Sequence, residues 1–370
     1  MADSKSEIRT VKIPAVLFCE PATASLTVAS LTALDRLLVA VHRAGCAPIH
    51  VVCTGPLPDL NRAPALGIEF TTSPTPPTSD KPAFVAFANL LLTTKDVKRL
   101  VEQRGRLAMG GRNLPAGFVG KPCGRLEEDI AAAAPIAPEG IVALVTDEAS
   151  ARAATEALWA SLTSSADGLV DRCFNRPVGR FLSKVLIRTP VTPNQISIFA
   201  TLIGIASAVW FSLGTRTSAL IGALLLQLSA IIDCVDGDVA RVVFKESPLG
   251  KWLDLVGDQI VHVGVFVAIG IGLWRAGLDA PVLALAASAG AGVVISFAVV
   301  LRGLLNPQLQ QNTALQRLID ATTNRDFSVL LLALALLDRL VWFLWLAAFG
   351  VHVFWMVALS LQLRRASAFP

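Results

Sequence analysis

The sequence is poor in charge. Lys, Arg, Asp and Glu together make up 16% of the 370 residues, whereas hydrophobic residues make up 54% and the mean hydropathy is +0.61. Soluble globular chains usually carry about 25% charged residues, so this composition excludes a protein that is soluble throughout. It also excludes disorder, a collagen-like repeat and a coiled coil. The net charge of +4 is too small to indicate nucleic-acid binding, which calls for a basic patch or stripe.

Tyrosine is absent and cysteine is sparse. Without Tyr the chain lacks a common general acid, and of the two aromatic residues typical of membrane interfaces only Trp remains. The six cysteines show neither C-x-x-C spacing nor a metal-finger pattern, so we expect reduced thiols. Residues 1–10 are polar and do not predict a signal peptide.

Residues 1–160 combine short apolar runs with turn signals, which is typical of a soluble α/β domain. A helix is predicted over 31–44, where an amphipathic pattern ends at Gly45, and the Pro-rich stretch 71–82 is predicted to be a loop. Alternation of strands and helices favours a mostly parallel sheet. Strands are predicted at 13–19, 49–53, 84–92 and 141–146.

Residues 161–193 form a basic linker. Positive side chains recur every four residues with apolar residues between them, and Pro177 marks a helix start or a break. This pattern predicts an amphipathic helix on an anionic membrane surface; the alternative is the exposed basic face of a soluble helix. The basic residues are Arg172, Arg176, Arg180, Lys184 and Arg188.

Residues 194–370 are apolar enough to require a bilayer, and we predict an all-α domain of six transmembrane helices. A span needs about 20 largely apolar residues, and the fifth candidate is short. Four tryptophans, Trp210, Trp252, Trp274 and Trp342, fall near span ends, where interfacial aromatics are expected. The candidate spans are 195–213, 217–235, 252–274, 280–301, 327–337 and 340–362.

The distribution of Lys and Arg predicts the orientation. If the first domain is cytosolic, thirteen basic residues flank the spans on the inside and three on the outside, which agrees with the positive-inside rule. Both termini are then expected in the cytosol. The outer residues are Arg216, Arg275 and Arg339, and those on the inside beyond the linker are Arg241, Lys245, Lys251, Arg302, Arg317, Arg325, Arg364 and Arg365.

Four acidic residues lie in or next to the second and third predicted spans. Asp233 and Asp236 lie three residues apart, and Asp254 and Asp258 lie four apart, so each pair shares one helix face. Intramembrane acids are costly and indicate function. Four converging carboxylates would repel one another unless a cation neutralised them, and oxygen ligands without His or Cys select Mg²⁺ or a similar ion.

The residues between the acids also suit a ligand. Gly237 and Ala240 leave the helix face open, Arg241 supplies a positive charge suited to a phosphate, and Gly250 opens the next span in the same way. Written as a pattern, residues 233–258 read D-x2-D-G-x2-A-R-x8-G-x3-D-x3-D.

This pattern resembles, at all eight fixed positions, the signature of the CDP-alcohol phosphotransferase (CDP-alcohol phosphatidyltransferase) family. The resemblance implies a metal-dependent membrane transferase that moves a phospho-alcohol group from a CDP-alcohol to an acceptor hydroxyl and releases CMP. It implies Mg²⁺ or Mn²⁺ as cofactor, a cytosolic active site in a cell membrane of bacterial or archaeal type, and a homodimer. It assigns Asp233, Asp236 and Asp254 as metal ligands, Asp258 as ligand or general base, and Gly237, Ala240, Arg241 and Gly250 to the donor site.

The first domain resembles a sugar-nucleotide nucleotidyltransferase, with the layout of fused cytidylyltransferase and inositol-phosphate transferase proteins. The loop after its first strand, Glu20 to Ser25, has neither the glycines nor the basic residues that would hold a triphosphate, and Asn89 replaces a metal-binding Asp. The resemblance therefore implies a nucleotidyltransferase-like fold that is catalytically inactive. A divergent active enzyme and an unrelated fold are the alternatives.

Two other function classes compete with a transferase. A membrane scaffold whose transferase core has decayed would be expected to lose its acids first, and all four are present. A transporter would need inverted repeats or broken spans, which the sequence does not show. The acceptor stays open between a polyol phosphate, such as an inositol phosphate, and a lipid-forming reaction. Lys251, Arg302, Arg317 and Arg325 are candidates for binding a phosphorylated acceptor.

Overall fold

The computed structural model describes residues 12–77, 81–120, 130, 132–163, 168–278, 281–306 and 327–366. The chain divides into two compact units, Met1–Ser161 and Leu162–Pro370, and each is described by itself. The predicted basic residues Arg317 and Arg325 lie outside the described residues.

The first unit is built around a mixed seven-stranded sheet in the order β10-β8-β9-β6-β1-β4-β5. Strands β6, β1, β4 and β5 are parallel, whereas β9 runs antiparallel to both β6 and β8. The strands are β1 Ala15–Cys19, β2 Thr27–Val28, β3 Leu31–Thr32, β4 Ile49–Cys53, β5 Thr71–Ser73, β6 Ala83–Phe87, β7 Leu90–Leu91, β8 Gly105–Met109, β9 Arg112–Val119, β10 Ala134–Ile136 and β11 Ala143–Leu144. The helices are α1 Pro21–Ala24, α2 Ala33–Arg43, α3 Arg62–Ala65, α4 Thr94–Glu102 and α5 Glu148–Ser161.

Two sequence predictions for this unit need correction. The stretch 71–82 is not a loop throughout, because Thr71–Ser73 forms an edge strand beside β4; its prolines begin only at Pro74, where the pairing ends. The predicted strand 84–92 is divided by a turn into β6 and β7, and β7 pairs with β11 outside the main sheet.

Helix α2 is buried on nearly all sides, although the sequence predicted an amphipathic helix. Two of its charged residues, Asp35 and Arg36, are buried and hydrogen-bonded inside the unit. Asp35 accepts backbone N–H bonds from Asn61, Arg62 and Ala63 at the start of α3, and Arg36 donates to the carbonyl oxygens of Val28 and Ala29. Buried polar groups are tolerated when they are hydrogen-bonded, and these two are.

The second unit is helical. A π-helical turn, Asp171–Asn175, leads into α6 (Arg176–Leu186), with Pro177 in its first turn. Five helices that follow are long and apolar enough to span a membrane, and the predicted fifth span is a helix of only 10 residues; the count of six full spans is therefore not met among the described residues. The helices are α7 Pro193–Ser212, α8 Arg216–Val242, α9 Pro248–Arg275, α10 Val282–Leu305, α11 Phe327–Leu336 and α12 Leu340–Ala366.

Helix starts are fixed by the sequence itself. Thr192 and Thr215 each cap a helix through a reciprocal capping box, and Ser247 accepts the N–H of Gly250 at the start of α9, with Pro248 in the first helical position. The connection between α8 and α9 is consequently short, covering residues 243–247. This short connection brings the end of α8 and the start of α9 to the same level.

Helix α6 packs closely against α8. A Cβ on Gly179 would lie 3.2 Å from the carbonyl oxygen of Ile231, so a glycine is needed for this approach. The opposite face of the segment carries exposed apolar side chains: Leu169, Phe174, Val178, Phe181 and Val185. Their spacing places them on one side of the helix, as an interfacial amphipathic helix requires.

Candidate active site

Three of the four predicted acids converge where α8 ends and α9 begins. Carboxylate oxygens of Asp233, Asp236 and Asp254 all lie within 4.8 Å of one another. Asp233 is half-buried, Asp236 buried and Asp254 exposed. Like charges at such a distance disfavour ionisation unless a cation is present, and three carboxylates are an oxygen ligand set suited to a hard divalent ion. The group could hold a metal ion.

Helix α7 supports the buried member of this group. The Ser197 hydroxyl donates a hydrogen bond to Asp236 Oδ2, and Ser197 is itself buried. The sequence reading did not identify Ser197. Nothing in its immediate sequence marks it, because its role depends on a contact across 39 residues of chain. It fixes the orientation of the carboxylate that is least accessible to solvent.

The fourth acid, Asp258, lies one turn beyond Asp254 on α9 and is not part of the three-acid group. It is half-buried and lines a cavity of about 510 Å³ bounded by α9, α10, α11 and α12. His262 lines the same cavity, with its ring centroid 5.1 Å from that of Phe327. Most of the remaining wall is apolar, including Phe266, Phe297, Phe327, Phe343 and Phe354.

The other predicted site residues lie beside the acids. Gly237 faces the side chain of Arg241, since a Cβ there would lie 3.3 Å from Arg241 Nη2. Ala240 is half-buried on the same helix end. Arg241 keeps 45% of its side chain exposed while its Nη2 contacts Asp238 Oδ1 at 3.0 Å. The end of α8 therefore presents a glycine, an alanine and a guanidinium next to the carboxylate group.

Asp238 requires a correction. From the sequence it is interpreted as a solvated acid at a helix end, but its side chain is only 1% exposed. Arg176 of α6 reaches it with Nη1 at 2.8 Å from Oδ1. Arg176 therefore turns toward α8, although the linker pattern placed it on a membrane-facing basic stripe. The sequence cannot show this, because the partner lies 62 residues away.

Gly250 stands at a close approach between α9 and α7. A Cβ there would lie 2.8 Å from Asn194 Oδ1 and 3.1 Å from Ser247 Oγ, the capping hydroxyl of α9. A side chain at residue 250 would require the Asn194 amide to move, so the glycine leaves room for Asn194 at the start of α7. Asp254 follows one turn later.

Replacing Gly250 by Ala is expected to shift the start of α9 and lower Mn²⁺ affinity about tenfold, comparable to loss of an outer-shell partner. Gly264→Ala on the same helix is the matched control, because its Cβ would meet only Ala208 at an ordinary 3.6 Å. Metal titration of both variants checks this. Equal Mn²⁺ affinity in the two variants would contradict the packing role of Gly250.

In the first unit, the structure describes the loop after β1 and Asn89, the two places that the sequence compares with a nucleotidyltransferase site. Residues Pro21–Ala24 form a short helical turn, and the backbone carbonyl of Asn89 accepts the N–H of Val145. Cys19 and Cys53 are register partners at the ends of β1 and β4. Burial and the neighbouring Cys53 raise the pKa of Cys19 to about 12, so this thiol is protonated at neutral pH and is a poor nucleophile.

Two polar side chains within the membrane helices are held by local contacts. His352 accepts a hydrogen bond at Nδ1 from Trp355 Nε1, and its Nε2 lies 3.0 Å from Ser288 Oγ. Gln227 donates to Asn175 and accepts from Ser328.

The four tryptophans predicted at interfaces are all at least 38% exposed on the protein surface.

The fold and the carboxylate group define an integral membrane protein with a candidate metal site at the end of two adjacent spans. The model of the CDP-alcohol phosphatidyltransferase family matches residues 190–357. This C-terminal region therefore belongs to that family, which confirms the family predicted from the signature.

Several characterised proteins resemble the chain. It is 36% identical over 124 residues to a bifunctional IPC transferase and DIPP synthase of Thermococcus kodakarensis, covering 34% of this chain and 27% of that protein. An Aquifex aeolicus protein of the same description is 35% identical over 107 residues, covering 29% and 24%. Archaetidylinositol phosphate synthase of Pyrococcus horikoshii is 29% identical over 91 residues, covering 25% and 47%. The matched part is thus about a quarter of the length of the first two relatives.

Among solved structures, the chain resembles phosphatidylinositol phosphate synthase of Mycobacterium tuberculosis in complex with manganese and citrate. The TM-score is 0.36 and the identity 18%, with 49% of this chain and 86% of that one covered.

Proposed function

We propose that this protein is a metal-dependent membrane transferase that moves a phospho-alcohol group from a CDP-alcohol to an acceptor hydroxyl and releases CMP. The observation that carries the proposal is the approach of Asp233, Asp236 and Asp254 to within 4.8 Å inside a region of the CDP-alcohol phosphatidyltransferase family. A decayed scaffold would have no need of three carboxylates at such mutual distances.

The three carboxylates fit Mg²⁺ or Mn²⁺, because hard cations prefer oxygen ligands. A divalent ion held there supplies neutralisation of the donor diphosphate and of the charge that develops at the attacked phosphorus. Asp233 and Asp236 of α8 and Asp254 of α9 would hold such an ion. Ser197 orients the Asp236 carboxylate toward this task through its hydrogen bond.

The residues at the end of α8 are proposed to bind the donor. Gly237 and Ala240 leave room for the cytidine diphosphate against the helix, and Arg241 offers N–H donors to its phosphate oxygens. Gly250 lets the first turn of α9 lie close to the start of α7, one turn before Asp254. These roles follow the family resemblance position by position.

Asp258 is proposed as the general base. The acceptor oxygen attacks the phosphorus that bears the alcohol, its proton passes to Asp258, and the bond from that phosphorus to the bridging oxygen breaks, so that CMP leaves. Asp258 lines a cavity, so its side chain is not enclosed by packing and is open to a substrate hydroxyl. On α9 this cavity is lined by residues from Leu255 onward, beyond the first turn of the helix.

The acceptor is proposed to be an inositol phosphate or a similar polyol phosphate. The name of the Pyrococcus relative, archaetidylinositol phosphate synthase, supports an inositol-containing substrate. Lys251 and Arg302 are exposed basic residues of α9 and α10 and are proposed to bind the acceptor phosphate. The donor is a soluble CDP-polyol or a lipid CDP-alcohol.

The membrane side of the active site and the oligomeric state are proposed from the basic residues and from the family resemblance. The positive-inside pattern supports a cytosolic active site, and the exposed apolar face of α6 supports contact of that helix with the inner membrane surface. The family resemblance supports a homodimer. The first unit is proposed to be catalytically inactive, since the loop from Glu20 to Ser25 lacks a phosphate-binding cradle.

One assay with two arms tests these proposals. Purified protein with Mg²⁺ receives CDP-inositol or CDP-diacylglycerol together with inositol phosphate, and mass spectrometry identifies the product; CMP and a phosphodiester are expected. In the second arm CTP and inositol phosphate replace the donor, and no CDP-alcohol is expected. Absence of CMP with every donor supports the scaffold alternative, whereas CTP-dependent product shows an active first domain.

A further inference from the structure

A buried acid at the end of α8 has no role in the mechanism above. Asp238 is completely buried, and its Oδ1 contacts two guanidinium groups, Arg176 Nη1 at 2.8 Å and Arg241 Nη2 at 3.0 Å. Its Oδ2 is buried and has no hydrogen-bond partner among the described residues. The carboxylate therefore holds two cations through a single oxygen.

Such an arrangement is a poor way to stabilise a helix end. Removing charges from water is costly, and a buried ion pair is often no better than apolar side chains of the same volume. A buried oxygen without a hydrogen bond adds to that cost. The arrangement is more readily explained by what it positions than by the stability it adds.

Asp238 contacts the Arg241 guanidinium. The guanidinium lies over Gly237, because a Cβ on Gly237 would be 3.3 Å from Arg241 Nη2. The Arg241 side chain is nevertheless 45% exposed. Arg has five N–H donors in a fixed fork. One of its terminal nitrogens faces Asp238, and the exposure of the side chain leaves other N–H donors accessible to a ligand.

Arg176 completes the arrangement from the neighbouring helix. Its side chain is 15% exposed and reaches Asp238 from the first turn of α6. Two guanidinium groups surround one carboxylate, so Asp238 balances only one of the two positive charges that contact it. Arg176 thereby keeps Asp238 in place when Arg241 engages an anionic ligand.

We propose that Asp238 is a positioning residue that holds the Arg241 guanidinium above Gly237 for the diphosphate of the donor. The inference rests on the proposed function, in which Arg241 binds that diphosphate. Asp238 acts only through Arg241 and touches neither donor nor metal.

A double-mutant cycle on the full chain tests this role, with CDP as the probe in the presence of Mn²⁺. Asp238→Asn is expected to weaken CDP binding about tenfold, and Arg241→Gln at least as much. In the Arg241→Gln background, Asp238→Asn is expected to change the affinity less than twofold, because the residue through which it acts is already gone. An equal tenfold loss in that background would overturn the proposal.

Mn²⁺ affinity is the second readout. Asp238→Asn is expected to leave it unchanged, whereas a general disturbance of the end of α8 would also displace Asp233 and Asp236. A parallel loss of Mn²⁺ affinity would therefore show a merely structural role. Asp338→Asn, at an exposed turn with positive φ, is the control and should bind both probes like the wild type.

A conservative variant covers the case in which Asp238→Asn does not fold. Asp238→Glu keeps the charge but displaces the carboxylate by one methylene, and it should weaken CDP binding several-fold with normal Mn²⁺ affinity. Wild-type CDP affinity in this variant would overturn the inference. Failure of the wild type itself to bind CDP with Mn²⁺ would instead refute the proposed function.

Discussion

Replacing Asp254 by Asn is expected to abolish metal-dependent transfer, with Mn²⁺ affinity falling by at least about 100-fold. Loss of an outer-shell partner alone typically costs 10–100-fold in metal affinity or activity, and a direct ligand should cost no less. Asp254 is the most informative of the three acids because it is exposed. Its replacement disturbs packing less than that of the buried Asp236.

Thermal unfolding distinguishes loss of a ligand from misfolding in this variant. Without metal, Asp254→Asn removes one of three mutually repelling carboxylates, so its melting temperature should equal or exceed that of the wild type. A ligand at 100 times its dissociation constant stabilises by about 2.7 kcal/mol. Mn²⁺ should therefore raise the melting temperature of the wild type but not that of the variant.

Two outcomes would refute the metal site. One is full turnover of the wild type in the presence of a chelator. The other is a normal Mn²⁺-dependent rise in the melting temperature of Asp254→Asn. Asp338→Asn serves again as the control, because Asn tolerates the left-handed backbone conformation at that turn.

The site acids were predictable because their chemistry is written in local spacing. Asp233 with Asp236, and Asp254 with Asp258, follow helical periodicity, and the short connection after α8 brings Asp254 to the first pair. Spacing alone could not separate Asp258 from the other three acids, and the family resemblance left it as either a metal ligand or a general base. That difference depends on how α9 faces α11 and α12, which places Asp258 on a cavity wall.

Contacts between distant residues account for what the sequence could not reveal. Asp238 looks solvated until α6 is placed beside α8, and Ser197 looks like an ordinary residue of α7 until Asp236 faces it. In the first unit, the prolines from Pro74 onward masked the three-residue edge strand Thr71–Ser73, which ends just before them. The local sequence pattern predicted where helices and strands form, whereas contacts between distant residues determine the roles of their side chains.

Replacement of Asp258 is the second change expected to have a large effect on turnover. Asp258 lies one helical turn, about 6 Å along the axis, beyond Asp254, and it lines a cavity instead of joining the three-acid group. An Asn at this position keeps the shape of the side chain but cannot take up a proton. The variant therefore separates proton transfer from binding.

Asp258→Asn is expected to bind the CDP-alcohol within about tenfold of the wild type, equivalent to about 1.4 kcal/mol, while turnover falls by about 10²- to 10⁴-fold, as is typical when a general base is lost. Donor binding and initial rate are measured on the same purified preparation, next to Asp254→Asn, which should lose Mn²⁺ affinity as well. Complete loss of donor and Mn²⁺ binding would make Asp258 a fourth metal ligand, and an unchanged rate would refute its role as the base. The contrast between the two variants follows from the structure, in which Asp254 joins the three-acid group and Asp258 faces the cavity beside it.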